Sequence, residues 1–210
     1  MSSSLIVGVR KWFAVVMLGL AAFTVVATEL APIGMLSTIA DEMGESTSKT
    51  GLVVTIYAWL GAATALISVT VLSHLPRRPL LVGLMLFLAL SNVISAYTSN
   101  FELLLAARLL GAVAHGAFWA MIGSLGAQLV ASNQVGRATA IIFGGVSSAS
   151  VLGVPLINWI SSYSGWRLSF VVLAGLSVFT ALAFAQVYLV CLALKNWVKS
   201  NSYPLLETIC

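Results

Sequence analysis

Three ionisable side chains stand where the sequence is otherwise apolar: Glu29, Arg108 and His115. A carboxylate, a guanidinium and an imidazole are the groups of a proton relay, and the imidazole changes charge within the physiological range. Arg108, Gly111, Ala112, His115 and Trp119 lie at helical spacing on one face. Glu29 lies about 25 Å along its apolar run from Trp12, and Arg108 about 10 Å into its own from the opposite end. If neighbouring runs are antiparallel, the two charges reach a similar depth and face a common aqueous cavity, either as a direct pair or through water or substrate. Two plainer roles stay open, Glu29 at a membrane interface and His115 as a hydrogen-bond donor between helices. Arg108 has no such escape, because it cannot discharge by losing a proton.

The surrounding elements must then be helices in lipid. Of 210 residues, 60% are apolar and only 8% charged, against about 25% charged in soluble domains. A spanning helix needs about 20 mostly apolar residues. Six segments qualify, over 12–36, 51–72, 79–97, 101–130, 138–160 and 168–192. They form an all-α, polytopic membrane domain over 12–192, between an N-terminal segment 1–11 and an atypical tail 193–210. The first run is too long for a signal peptide. An ionisable group within such a span costs several kcal/mol, on the order of 2.5–3.5 at the bilayer centre on the mildest scale, and marks function by default.

Lys and Arg distribute unevenly between the two ends. Arg10, Lys11, Arg77, Arg78, Arg137, Lys195 and Lys199 fall on one side; Lys49 and Arg167 fall on the other. The bias places both termini in the cytoplasm. It also explains the net charge of +4 without a nucleic-acid partner. Arg77 and Arg78 belong to the cytoplasmic connection 73–78.

Pro32 withholds an N–H from the carbonyl of Thr28 and should bend the first helix. Freed carbonyls beside an acid can receive a cation or substrate, or be a simple kink. In the fifth helix Gly145, Ala149 and Gly153 recur every four residues. Such a face lets helices approach closely in lipid, and one partner for it is a second copy of the chain. Tyr57, Trp59, Phe118 and Trp119 can line a cavity and stack on sugar rings, or serve as packing and interface anchors. Cys191 and Cys210 form no metal-spaced pair. No phosphate loop, zinc-type His pair or Ser-His-Asp set is present, so neither a cofactor nor an enzymatic activity is expected.

Four stretches together resemble the major facilitator superfamily, and within it the drug/proton antiporter branch and its bacterial sugar efflux transporters. They are ATELAPIGMLSTIA (27–40), TIYAW (55–59), RLLGAVAHGAFWA (108–120) and SVLGVPLINW (150–159) followed by GWRLSF (165–170). The resemblance implies six helices arranged as a 3+3 inverted repeat, one half of a twelve-helix carrier, with helix 1 the counterpart of helix 4. It implies proton-coupled export of a sugar or drug across the bacterial inner membrane, with Glu29 and Arg108 in proton coupling. It also implies an antiporter packing motif around Gly153 and Pro155. Two departures stand out: the connection SHLPRRPLL has no acid, and Leu156, Ile157 and Asn158 follow Pro155 where glycines are usual. Six helices where twelve are usual leave three readings: a truncated product lacking its C-terminal half, an inactive fragment, or a half-transporter that homodimerises.

Overall fold

The computed structural model describes residues 2–72 and 74–200, with side chains described over 11–72, 74–77, 79–123 and 125–186. The side chains of Arg10, Arg78, Cys191, Lys195 and Lys199, and the tail from 201 with Cys210, lie outside the described residues.

Among the described residues, six helical spans are long and apolar enough to cross a bilayer: Lys11–Met43, Thr47–Val71, Pro79–Tyr97, Phe101–Gly123, Ser132–Ser164 and Trp166–Gln186. The chain is all-α among the described residues. The first span comprises α1 (Ser2–Leu30), a 3-10 segment (Ala31–Met35) and α2 (Leu36–Met43). Pro32 sits in the first turn of the 3-10 segment, where a missing N–H is tolerated in the chain but the carbonyl behind it goes unpaired. The helix runs on through residues expected in a connection, because Met35, Ile39 and Ala40 keep the apolar stripe buried. Gly44 ends it in the left-handed conformation at φ +67°, its N–H returning to Ala40. Ser46 then caps α3 (Thr47–Thr50) by accepting from the Lys49 N–H, and α4 (Leu52–Val71) completes the second span.

The third span is α5 (Arg77–Tyr97) and the fourth α6 (Phe101–Leu129). Arg77 thus opens a helix rather than closing a loop. Asn100 caps α6, its side chain accepting from the N–H groups of Glu102 and Leu103. The fifth span begins with a 3-10 turn (Ser132–Gln134), continues as α7 (Val135–Ser148), widens into a π turn (Ala149–Gly153) and resumes as α8 (Val154–Ser164). Pro155 lies in the first turn of α8, next to that wide turn. Only Gly165, at φ +80°, separates it from the sixth span, α9 (Trp166–Ser200).

Packing pairs the spans in a definite way: α1 beside α7, α4 beside α6, and α5 beside α9. First with fifth, second with fourth and third with sixth is a pattern that maps onto itself when spans 1–3 exchange with spans 4–6. An inverted repeat has this property. A glycine contact sits in both exchanged pairs. A Cβ on Gly145 would collide with the Gly19 carbonyl, and one on Gly116 with the Gly61 carbonyl. The small face of the fifth span is therefore filled by α1: Ala149 is buried, and Gly153 packs on the Phe23 ring and Ala27. This corrects the expectation that the face would be open to a second copy. The backbone of α1 reaches it first because it too is bare at Gly19.

Among the described residues two apolar clusters form the core. One joins Val15, Leu18, Leu84, Met85, Phe118, Ile122 and Ile142. The other joins Ala31, Met35, Ile39, Val53, Leu104, Trp166 and Phe170. Along spans three, four and six the buried polar residues Ser91, Asn92, Ser95, Arg108, Ser177 and Thr180 fall between the two clusters in the chain, and Thr28 and His115 join them through Arg108 and Glu29. The candidate site lies in this polar waist.

Candidate functional site at the polar waist

Arg108 enters the waist from α6 and is completely buried. Its Nη2 donates to the Thr28 carbonyl at 3.0 Å and to the Glu29 carbonyl at 3.5 Å. The Thr28 carbonyl is the one that Pro32 leaves without an i+4 donor. The kink thus serves a cation, and the cation is this chain's own. The guanidinium also lies 4.2 Å from the Tyr57 ring centroid and 5.8 Å from that of Phe170. Aromatic faces attract a cation, the more so when water is excluded.

The Glu29 carboxylate is not hydrogen-bonded to Arg108. It lies 3.6 Å from Nε2 of His115. That separation is too long for a hydrogen bond, and it is an ion pair only when the imidazole carries a second proton. The three expected charges are therefore brought together, with the acid turned to the imidazole and the guanidinium turned to the backbone beside it. Glu29 is the most exposed of the three, its side chain 27% accessible against 9% for His115. The carboxylate thus stands nearer the surface and the imidazole behind it. Nε and Nη1 of Arg108 are buried with no protein hydrogen-bond partner among the described residues.

Small residues make the convergence possible. A Cβ on Gly111 would lie 2.5 Å from Ser91 Oγ and 3.3 Å from the Tyr57 ring. Ser91 donates to the Ala107 carbonyl at 2.7 Å, and the Tyr57 hydroxyl to the Gly111 carbonyl at 3.4 Å. These contacts draw α4 and α5 onto the turn of α6 that carries Arg108.

The proposed cavity aromatics separate. Tyr57 meets His115 edge-on at 5.4 Å, His115 meets Trp119 at 6.2 Å, and Trp119 meets Phe143 at 6.2 Å, giving one aromatic strip. Phe118 points instead into an apolar cluster. Trp59, two residues beyond Tyr57, is 76% exposed on another face of α4. Pro155 is likewise exposed, whereas Gly145, Ala149 and Gly153 face α1. Sequence reasoning missed Phe143, Thr28 as the acceptor of Arg108, and Asn92, which donates to the Thr28 hydroxyl at 3.3 Å. Asn92 did carry a signal, an amide within the apolar run 79–97.

A second polar cluster ties three spans at one end. Glu42 accepts from Trp166 Nε1 at 2.6 Å, and from Nε and Nη2 of Arg167 at 3.0 and 2.7 Å. Arg167 also donates to the carbonyls of Ala96 and Thr98, at the end of α5. At the other end Arg137 lies over the Trp12 ring, 5.1 Å from its centroid.

Residues 7–202 match the family described as Major Facilitator Superfamily. Over 172 residues the chain is 36% identical to a curated protein of Mannheimia succiniciproducens named "Probable sugar efflux transporter", covering 82% of this chain and 43% of that protein. The chain spans less than half the length of that relative.

Proposed function

From the premise that this chain belongs to the major facilitator superfamily, we propose that it is the N-terminal half of a proton-coupled exporter of sugars or similar small solutes in the bacterial inner membrane. The carrying observation is the state of Arg108. A buried guanidinium bonded, among the described residues, to main-chain carbonyls alone, beside a carboxylate turned to an imidazole, has a charge that the acid can share or release. Proton uptake at Glu29 and His115 then changes the charge of the waist without moving Arg108. The sugar class comes from the relative's name. The Tyr57–His115–Trp119–Phe143 strip provides ring faces of the kind sugars stack on.

The second half fits on the exposed faces of the second and fifth spans. Trp59 and Leu66 on one, and Leu152, Trp159 and Tyr163 on the other, are mostly accessible. The chain covers 43% of its relative's length, which leaves room for another bundle of similar size.

The experiment is sugar export from proteoliposomes under an imposed pH gradient, with the chain alone and with a co-produced C-terminal half from the relative. Export should require Glu29 and Arg108, so Glu29→Gln and Arg108→Ala each lower it at least ten-fold. Wild-type export by Arg108→Ala overturns the coupling role. Export by the chain alone would favour a homodimerising half. Its absence in both preparations would favour the inactive fragment, and a lipophilic drug exported in place of sugar would reassign the substrate.

A further inference from the structure

Asn92 borders the charged groups of the waist but takes no part in the coupling proposed for them. It is fully buried on α5, its Nδ2 donates to the hydroxyl of Thr28, and its Oδ1 has no protein partner among the described residues. Thr28 is also the residue whose carbonyl receives Arg108. Two side chains from different spans thus converge on one threonine. Around it remain one unpaired buried acceptor, Asn92 Oδ1, and two unpaired buried donors, Nε and Nη1 of Arg108. A buried polar atom left unpaired costs about 1–3 kcal/mol, and buried polar atoms in native proteins nearly always find partners. Neighbouring contacts bring the same stretches together, since Ser91 bonds the Ala107 carbonyl one residue before Arg108.

We infer that Asn92 is a positioning residue for Arg108: its amide oxygen is the neutral acceptor that holds the guanidinium, through one buried water or by a small side-chain turn that closes a direct bond, while the Glu29 carboxylate is turned to His115. The arrangement divides the work at the waist. Thr28 and Asn92 fix the cation with uncharged acceptors, and the carboxylate is left free to change partners. An acidic residue in place of the amide would supply a permanent counter-ion and tie the cation down. An apolar one would force Arg108 toward Glu29. The one hydrogen bond of the Asn92 side chain goes to Thr28 and not to the aromatic strip, so its effect should fall on turnover rather than on substrate binding. This inference rests on the proposed coupling role of Arg108.

Two measurements on the full chain in lipid bilayers test it. The first is solid-state NMR dipolar recoupling between asparagine side-chain 13Cγ and arginine side-chain 15N, taken as the difference between the wild type and Asn92→Leu. A bonded pair puts these nuclei within about 4 Å. A difference signal that also disappears in Arg108→Lys supports a direct bond. Retarded solvent exchange of the Arg108 Nε–H that is lost in Asn92→Leu supports the water-bridged form. Neither effect in the wild type or in Glu29→Gln overturns the inference, whether or not the chain transports. The second is export kinetics. Asn92→Leu should lower the maximal rate about ten-fold at unchanged KM, and Asn92→Thr, which keeps an acceptor oxygen, should recover most of it. Wild-type rates in Asn92→Leu, with Arg108→Ala inactive, overturn this inference alone. Wild-type rates in Arg108→Ala overturn the coupling reading beneath it.

Discussion

At the level of single residues, the waist is built from exceptions to the rules of a lipid-embedded helix, each answered by another residue. Pro32 removes an N–H, and Arg108 takes the carbonyl it leaves. Gly34 in the 3-10 segment has no Cβ, and the Asn158 side chain fills that space so closely that a Cβ would overlap its amide. Asn158 is one of the residues that replace the usual glycines after Pro155, and its role could not be read in one dimension. The amide and the glycine are 124 positions apart, and only the fold apposes them. A paired substitution tests the match. Gly34→Ala should destabilise the protein by about 1–3 kcal/mol through overpacking, and Asn158→Ala in the same chain should recover most of that loss. Thermal unfolding in detergent of the two single variants and the double reads the coupling, and purely additive effects would refute it. What the sequence did show was the set of ionisable residues. Charge inside an apolar run is conspicuous because it is costly. What it concealed was who pairs with whom: Glu29 meets His115, and Arg108 meets a backbone carbonyl. Main-chain acceptors carry no residue type by which to recognise them.

At the level of elements, apolar length fixed the six spans, while their ends were hidden. The stretch 37–43 is polar enough to look like a loop, yet it continues the first span as α2 because one stripe of it remains apolar and buried. The π turn at Ala149–Gly153 was also invisible, although its neighbour Pro155 was plain. Glycine spacing showed that helices approach closely, but not which ones. The structure answers with two matched crossings, Gly19 on Gly145 and Gly61 on Gly116. In lipid such close approach is a main source of helix association. Gly145→Leu and Gly116→Leu should therefore each pry a helix pair apart. Gly83→Leu and Gly175→Leu, where a Cβ would meet nothing within 4 Å, serve as controls. The expected outcome is a lower unfolding temperature and a smaller yield of monodisperse protein for the first two only. Equal loss in all four would mean that the crossings are not specific.

At the level of the whole molecule, the two ends of the bundle differ in charge. Lys11, Arg77, Arg78 and Arg137 stand toward one end by their places in the spans. Asp41, Glu42, Glu45 and Glu102 stand toward the other, with Lys49 and Arg167 among them. The two basic residues of the acidic end are held by its acids: Lys49 bonds Glu45 at 2.6 Å, and Arg167 bonds Glu42 at 2.7 Å. At the opposite end Arg137 rests on an aromatic ring. Because orientation depends on Lys and Arg near the ends of spans rather than on net charge, the end with Lys11, Arg77, Arg78 and Arg137 should face the cytoplasm. A membrane-impermeant thiol reagent applied to intact spheroplasts, on a chain with Cys191 and Cys210 replaced by Ser, should label Ser46→Cys and Ser99→Cys, in the turns of the acidic end. It should leave His74→Cys and Asn133→Cys unlabelled until the membrane is opened. The reverse pattern would invert the molecule and, with it, the side from which Glu29 would meet protons under the proposed coupling. Glu29 lies nearer the acidic end of its span. Outward exposure of that end is therefore what an exporter needs if protons are to reach Glu29 from outside while solute leaves.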